Sequence, residues 1–180
     1  MSSLISVLTE QNSIAFTGRI SIYFKSSNEY LGFLLLKDAV IIQAVSQKLR
    51  DKVAVLNIIK NETIDSVEYI YEVSPEQVES FNKRMYLDLN DLKKEAELEV
   101  GNILKIRRLK PPINLKLQVN KKLMLNDIQI THEEYKLLTL VSTHPIIGNL
   151  YDNSIYEEDL TTKLLISLKN KNAILVTRSS

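Results

Sequence analysis

The chain has 180 residues, of which 44% are hydrophobic and 25% are charged, and its formal net charge is +1. This balance is ordinary for a packed globular protein, and it argues against disorder and against a protein devoted to coating nucleic acid. The sequence contains no cysteine and two histidines, which excludes disulfides, thiolate metal sites and a histidine-rich metal cluster.

The chain carries no pattern that predicts export or insertion into a membrane. Its first residues lack the charged and apolar regions of a signal peptide. Its longest apolar stretch, residues 30–36, is far shorter than the roughly 18 residues that span a bilayer. We therefore expect a cytoplasmic protein without a membrane partner.

Apolar patterns in the first half predict an antiparallel sheet with helices. Residues 4–8 predict a helical turn that docks on the strands after it. Alternation and β-branched residues then predict strands, and a spacing of three predicts a helix with Val53, Leu56 and Ile59 on its buried face. The predicted strands are residues 16–24, 30–36, 39–45 and 67–73, and the predicted helix is residues 50–60.

The segment after the last of these strands has the pattern of a helix start. Ser74 can cap, Pro75 suits the first helical position, and Gln77 can complete a capping box. An apolar stripe follows, which we expect to pack on the sheet rather than to bind a partner or dimerise. Gly101 is expected to end the helix. The stripe consists of Val78, Phe81, Met85, Leu89 and Leu92.

Residues 101–113 predict a basic, proline-containing linker between two domains. The segment combines four basic side chains with Pro111 and Pro112, which favour a stiff, extended backbone. The domains on either side are predicted to be residues 1–100 and residues 114–180. The four basic residues are Lys105, Arg107, Arg108 and Lys110.

The second domain has the pattern of a strand, three helices and a strand. Capping boxes at Thr131 and Ser154 predict the first and third helices, and a tight turn at residues 170–172 precedes the last strand. This order resembles a winged helix, a fold that binds DNA in some proteins and only protein in others. The predicted fold class is therefore α+β, with an N-terminal antiparallel sheet and helices followed by a winged-helix-like domain.

The first half also resembles a known family. Residues 16–22 (FTGRISI), 30–38 (YLGFLLLKD), 41–44 (IIQA) and 52–59 (KVAVLNII) are similar, in motif and order, to the bacterial PATAN domain family. Ala39 stands where that family usually has glycine after the hairpin aspartate. The resemblance implies a regulatory module that is attached to signalling proteins and acts by protein interaction, without catalysis.

Eight basic side chains are candidate contacts for a partner or for phosphates. We favour a solvated linker for the first four and ordinary surface for the others. A winged helix would place the start of residues 155–169 in the major groove, where Glu157, Glu158 and Asp159 would repel phosphates. The same acids stabilise a helix start through its dipole. The eight candidates are Lys105, Arg107, Arg108, Lys110, Lys163, Lys169, Lys171 and Arg178.

No residue pattern predicts catalysis or a cofactor. The four glycines are too dispersed to cradle a phosphate, and neither a Gly-x-Ser-x-Gly motif nor a P-loop is present. A mixed metal site at His132 and His144, with Glu133 and Glu134, is disfavoured against a capped helix start and a loop residue. We predict no catalytic, cofactor-binding or metal-ligating residue.

Together these patterns predict a non-enzymatic bacterial regulatory or adaptor protein that acts by protein–protein interaction in signalling. The sheet edge or the first helix of the N-terminal domain would dock a signalling component, and the second domain would supply another protein surface. The alternative is a winged-helix transcription regulator that binds DNA, with residues 101–110 adding phosphate contacts and an affinity that falls steeply with salt. A homodimer is open under either hypothesis.

Overall fold

The computed structural model describes residues 3–78, 85–121 and 129–177, and the chain divides into two compact units, Met1–Asn102 and Ile103–Ser180. Helices accompany antiparallel sheets in both units, so the α+β class is confirmed. The helices are α1 (Leu4–Ser13), α2 (Asp51–Thr63), α3 (Leu89–Arg108), α4 (His132–Thr143), α5 (Ile147–Asn153) and α6 (Glu158–Asn170). The strands are β1 (Gly18–Phe24), β2 (Tyr30–Lys37), β3 (Val40–Ser46), β4 (Leu49–Arg50), β5 (Tyr69–Pro75), β6 (Lys116–Val119) and β7 (Ile174–Thr177).

The first unit is built on a five-stranded sheet in the order β4-β3-β2-β1-β5. Short turns join β1, β2 and β3, and such connections favour antiparallel neighbours. The four predicted strands are confirmed, and β4 is an addition too short to show a pattern. Alternate strand residues enter the core, whose largest fully buried members here include Ile20, Ile22, Leu34 and Leu36.

α1 and α2 both pack into the core of this unit. α1 is longer than the predicted turn and begins at Ser3, whose side chain accepts a hydrogen bond from the N–H of Ser6 at 3.2 Å. In α2 the predicted buried face is wrong at Val53, which is 61% exposed. An α-helix repeats every 3.6 residues, so positions three apart do not stay on one face of it. The spacing of three therefore predicted the wrong buried face for α2. The buried residues of α2 are Ala54, Val55, Ile58 and Ile59.

The helix predicted to begin at Ser74 is wrong, because this segment completes β5. Ser74 and Pro75 both pair with β1 in the antiparallel ladder. Proline is tolerated in a strand where its missing N–H would point away from the sheet, and an edge strand supplies that position. Phe81 of the predicted stripe falls within residues 79–84, outside the described residues.

The helix of this region begins instead at Leu89. The Asp88 carboxylate caps it by accepting hydrogen bonds from the N–H groups of Asn90 at 2.8 Å and Asp91 at 3.0 Å. These bonds, that of Asp91 foremost, lower the pKa of Asp88. Leu89 and Leu92 of the predicted stripe are buried, so the expected packing against the sheet core is confirmed for them.

α3 continues through Gly101 and ends at Arg108, so residues 101–108 of the predicted linker are helical. The predicted stop at Gly101 is wrong because a single glycine costs a helix only about 1 kcal/mol relative to alanine, and good helix formers flank it. The helix ends before Pro111 and Pro112, which cannot continue it.

β2 and β3 are joined by a turn that contains a strained residue. Asp38 and Ala39 both have positive φ, 50° and 65°, which identifies a type I′ turn. The Ala39 N–H donates to the carbonyl of Phe16 at 2.8 Å, and the Asp38 N–H donates to Thr17 Oγ1 at 2.9 Å. These bonds hold Ala39 in a conformation that its Cβ disfavours.

Ala39→Gly should therefore stabilise the first unit by roughly 1 kcal/mol, because glycine adopts positive φ without the Cβ penalty. The same substitution at Ala96, inside α3, should instead destabilise by at least about 1 kcal/mol. Urea unfolding of the two variants measures both effects. A loss of stability in Ala39→Gly as large as that in Ala96→Gly would contradict the strained turn.

The second unit packs three helices against a two-stranded sheet. β6 pairs antiparallel with β7, and the predicted order of strand, three helices and strand is confirmed. The likeness of this order to a winged helix stays a prediction. The core of the unit includes Leu117, Leu137, Val141, Leu150 and Leu168.

One of the two predicted capping boxes in this unit is confirmed. Thr131 Oγ1 accepts from the N–H of Glu134 at 3.2 Å, and the Glu134 carboxylate accepts from the N–H of Thr131 at 2.7 Å. The box predicted at Ser154 is wrong, because α6 begins at Glu158. Ser154 Oγ accepts instead from the N–H of Tyr156 at 3.2 Å, a local turn that serine hydroxyls often close.

Candidate functional site

Among the residues that the structure describes, β5 is the outer strand of the large sheet and pairs with a strand on one side only. Its partner is β1, with Tyr69 opposite Phe24 and Pro75 opposite Gly18, and the strand order places β5 at the end of the sheet. An edge strand presents N–H and C=O groups that can pair with a strand of another chain. This edge is therefore a candidate binding surface.

Alternate residues of β5 direct their backbone groups away from β1. The N–H of Lys25 donates to the carbonyl of Glu68 at 3.0 Å. In an antiparallel ladder the hydrogen-bonded pairs recur at every second residue, so Ile70 and Glu72 also bond to β1. The residues whose backbone N–H and C=O groups face outward are Tyr69, Tyr71 and Val73.

A cleft of about 640 Å³ lies beside this edge. β5 forms one side of it, and α1 forms another with Ser3, Val7 and Glu10, which share a helix face. Glu62, near the end of α2, also lines it. The volume is within the range of clefts that hold ligands. An extended peptide added to such an edge would place alternate side chains in the cleft.

Glu62 fixes the two sides of the cleft to each other. Its carboxylate accepts from the N–H of Leu4 at 3.1 and 3.2 Å and from the hydroxyl of Tyr71 at 2.5 Å. Burial raises the pKa of Glu62, and burial together with the adjacent Glu62 carboxylate raises the pKa of Tyr71. The start of α1 is thereby held against β5, so the cleft is preorganised by the fold.

The side chains around the edge are apolar or acidic. Ile70 and Val73 are exposed large apolar residues, at 37% and 38%. Glu10 on α1 and Glu72 on β5 are exposed carboxylates. The edge thus combines outward backbone groups, apolar contact area and negative charge.

Two of the predicted basic residues, Arg107 and Lys110, form ion pairs with acids at the start of α6. Arg107 Nε is 3.1 Å from Asp159 Oδ1, and Lys110 Nζ is 2.7 Å from Glu158 Oε1. Lys110 Nζ also lies 4.9 Å from the centre of the Tyr151 ring. The acids that were expected to repel phosphates neutralise these two bases instead, so the cluster offers less positive charge than its sequence indicates.

The structure places four further basic candidates on exposed helical surface. Lys105 and Arg108 are on the last turns of α3, and Lys163 and Lys169 are on α6. Nothing in their described surroundings marks them as a binding site, and their role as partner or phosphate contacts stays a prediction. Arg178 lies outside the described residues.

Lys171 belongs to a buried network. The Glu134 residue is 2% exposed, and its carboxylate accepts from Lys171 Nζ at 2.7 and 2.8 Å and from Ser167 Oγ at 2.6 Å. Burial alone would raise the pKa of Glu134, but the hydrogen bonds with Lys171, Ser167 and the Thr131 N–H outweigh it and lower that pKa. Lys171 is therefore engaged in joining α4 to α6.

Glu134 was one of the acids considered as a metal ligand beside His132 and His144. Its carboxylate is hydrogen-bonded to Lys171 instead, so it is not available to bind a metal ion there. His144 Nδ1 lies 2.9 Å from the Thr143 hydroxyl. Across the described ranges, no group of three or more histidine and acidic residues is placed to hold a metal ion. The helices of those ranges also fall short of the length and apolar character that a membrane span requires.

Sequence reasoning named the sheet edge or the first helix as a docking surface without identifying its residues. It assigned Pro75 to a helix start. A proline in a strand pattern is a sign of an edge strand, and Pro75 is the local signal that could have identified β5 as the outer strand.

Comparisons with known proteins give no relative from which to transfer a function. No protein-family model, curated protein or solved structure matches this chain. The resemblances to the PATAN family and to a winged helix stay predictions, and the geometry of the β5 edge is the strongest indication of function.

Proposed function

We propose that this chain is a non-enzymatic regulatory or adaptor protein whose first unit binds an extended segment of another protein. The observation that carries the proposal is the outward edge of β5 beside the α1 cleft. The bound segment would add to the sheet as a further strand. A signalling component is the expected partner, in line with the PATAN resemblance.

The energetics of strand addition are adequate for a reversible complex. The three outward residues, Tyr69, Tyr71 and Val73, offer an N–H and a C=O each. A hydrogen bond contributes a net of about 1 kcal/mol, and contact with Ile70 and Val73 adds burial of apolar area. Because Glu62 already holds α1 against β5, little ordering is needed on this side of the complex.

The second unit would supply a separate protein surface. A cleft of about 230 Å³ lies between α4 and the residues that precede α6. Its lining includes Leu140 and Tyr156 together with Tyr135 and Ile155, which are 63% and 76% exposed. Large exposed apolar side chains beside a small cleft favour protein contact over phosphate contact.

The alternative, a DNA-binding transcription regulator, has less support. Two of the four bases expected to contact phosphates, Arg107 and Lys110, are paired with Asp159 and Glu158. The acids at the start of α6 would have to release these bases before phosphates could replace them. Affinity capture combined with a DNA gel shift distinguishes the two functions.

Val73→Pro should abolish partner capture, because it removes one outward N–H and places a ring on the edge while leaving the β1–β5 hydrogen bonds intact. Glu72 is already extended, as a residue before proline requires. Val73→Ala is the matched control, since it keeps the N–H. The measurement is affinity capture from native cell extract at moderate salt with nuclease, read by mass spectrometry.

A protein retained by wild type and Val73→Ala but lost by Val73→Pro supports the proposal, provided that thermal unfolding shows the variants folded. Equal retention by Val73→Pro would contradict binding at the β5 edge. A gel shift of duplex DNA that disappears with added salt, together with no nuclease-resistant partner, would contradict the adaptor and favour the transcription regulator.

A further inference from the structure

The charges around the β5 edge indicate the chemistry of the segment that binds there. We infer that it is an extended segment in which basic side chains alternate with apolar ones, an inference that rests on the proposed function. The acidic residues around the edge favour a segment of net positive charge. The pleat of the sheet would direct its apolar side chains towards Val7 in the cleft and its basic side chains towards Glu72 on the opposite face.

Carboxylates outnumber cations among the described residues that line the cleft. Glu10, Glu62 and Glu68 line it together with a single cation, Lys25. Lys25 Nζ is 2.9 Å from Glu68 Oε2, so its charge is already balanced. The Glu62 carboxylate is already hydrogen-bonded to the Leu4 N–H and the Tyr71 hydroxyl, so Glu10 is the exposed carboxylate that gives the cleft its negative charge. A cationic segment is complementary to this surface.

The pleat sorts the side chains of an added strand into two sets. Residues opposite Tyr71 and Val73 would direct their side chains into the cleft, towards Val7 of α1. Residues opposite Glu72 would direct theirs to the other face of the sheet, where the Glu72 carboxylate is exposed. Directly opposed residues have Cβ atoms about 5 Å apart, within reach of a lysine or arginine head group.

A second copy of this chain is a poorer occupant of the same edge. Pairing two β5 strands would bring the carboxylates around one edge, Glu10 and Glu72, towards the same carboxylates of the other edge. Like charges across paired strands destabilise the pairing. A basic segment relieves this repulsion, whereas a second copy adds to it.

The test is an NMR titration of the full-length ¹⁵N-labelled protein with three blocked synthetic peptides. These are alternating lysine-valine, serine-valine and glutamate-valine sequences of equal length. The lysine-valine peptide should shift the amide signals of Tyr71 and Val73 and bind about fivefold more tightly than the serine-valine peptide, since two exposed carboxylates contribute modestly. The glutamate-valine peptide should bind more weakly than either.

Substitutions test the charge preference of the bound segment separately from its binding to the β5 edge. Glu10→Gln combined with Glu72→Gln should remove the preference for the lysine-valine peptide, whereas Glu97→Gln, an exposed carboxylate on α3, should leave it unchanged. If all three peptides bind with equal affinity and shift the amide signals of Tyr71 and Val73, the preference for a basic segment is wrong. Binding at the β5 edge would still hold in that case. Binding of the lysine-valine peptide that Val73→Pro does not weaken would overturn the use of the edge itself.

Discussion

Gly32→Ala is expected to cost the first unit at least about 3 kcal/mol of stability, enough to unfold a marginal domain. A Cβ added at Gly32 would lie 1.9 Å from the carbonyl oxygen of Val45 and 2.9 Å from the Cα of Ser46. Both are backbone atoms of β3, which pairs with β2 in this register. The clash can be relieved only by separating the two central strands, because packed backbone has little room to yield.

Gly101→Ala is the matched control and should have the opposite sign. Apart from the backbone of its own helix, no atom of the described residues lies within 4 Å of a Cβ added at Gly101, and the residue is inside α3. Alanine should therefore stabilise the helix by about 1 kcal/mol. Urea unfolding followed by circular dichroism compares the two variants. A wild-type midpoint for Gly32→Ala would contradict the close approach of β2 and β3.

Lys171→Met is expected to destabilise the second unit by about 3 kcal/mol, because it leaves the Glu134 carboxylate buried without its cation. Glu134 is 2% exposed, and Lys171 is its charged partner at 2.7 Å. Lys169→Met removes an exposed lysine from the same turn of α6 and should change stability by less than about 0.5 kcal/mol. Thermal unfolding distinguishes the two variants.

The cost of Lys171→Met should depend on pH. The pKa of Glu134 is lowered in the folded protein, so its contribution is present above the pKa of an unfolded glutamate and is lost as pH falls through the folded pKa. Acid also neutralises the unpaired carboxylate in Lys171→Met. The difference from wild type should therefore be large near pH 7 and small near pH 3. A difference that stays constant with pH would show that lost packing, not the buried charge, causes the effect.

Glu134→Gln combined with Lys171→Met provides a second check on the same network. The amide keeps most of the shape of Glu134 and needs no cation, so the double variant should recover part of the stability that Lys171→Met loses near pH 7. No recovery would again assign the loss to packing.

The parts of the fold that were predicted correctly depend on local signals. Residues 16–24 alternate, residues 30–36 are almost continuously apolar, and residues 39–45 are rich in β-branched side chains. Short turns join these strands, so both the strands and their antiparallel pairing follow from sequence. The Thr131 box has its two partners within four residues of each other. In these places neighbouring residues supply all the interactions that define the element.

The errors occurred where a local pattern fits two structures. A serine followed by acids fits a helix cap at Ser74 and Ser154, but Ser74 has β1 beside it and Ser154 closes a turn. The residues that decide between the alternatives are distant in sequence. A single-sequence pattern contains no information on which strand or side chain will be beside a serine.

The candidate site depends on the same long-range information. Strand order decides that β5 is an edge, and no local feature except Pro75 indicates it. The neutralisation of Arg107 by Asp159 joins residues 52 positions apart, so the sequence overstated the basic character of this cluster. Composition restricts the classes of function that the chain could have. The candidate binding surface at β5 is defined only by the order in which the strands pair.

Hydrogen exchange of the β5 amides tests the central claim most directly. In the free protein the N–H groups of Tyr71 and Val73 should exchange rapidly, whereas those of Ile70 and Glu72, bonded to β1, should be protected. Addition of the partner captured by wild-type protein should protect Tyr71 and Val73 as a new strand pairs with them. Partner binding that protects other regions and leaves these two amides exchanging as before would contradict recognition by strand addition at β5.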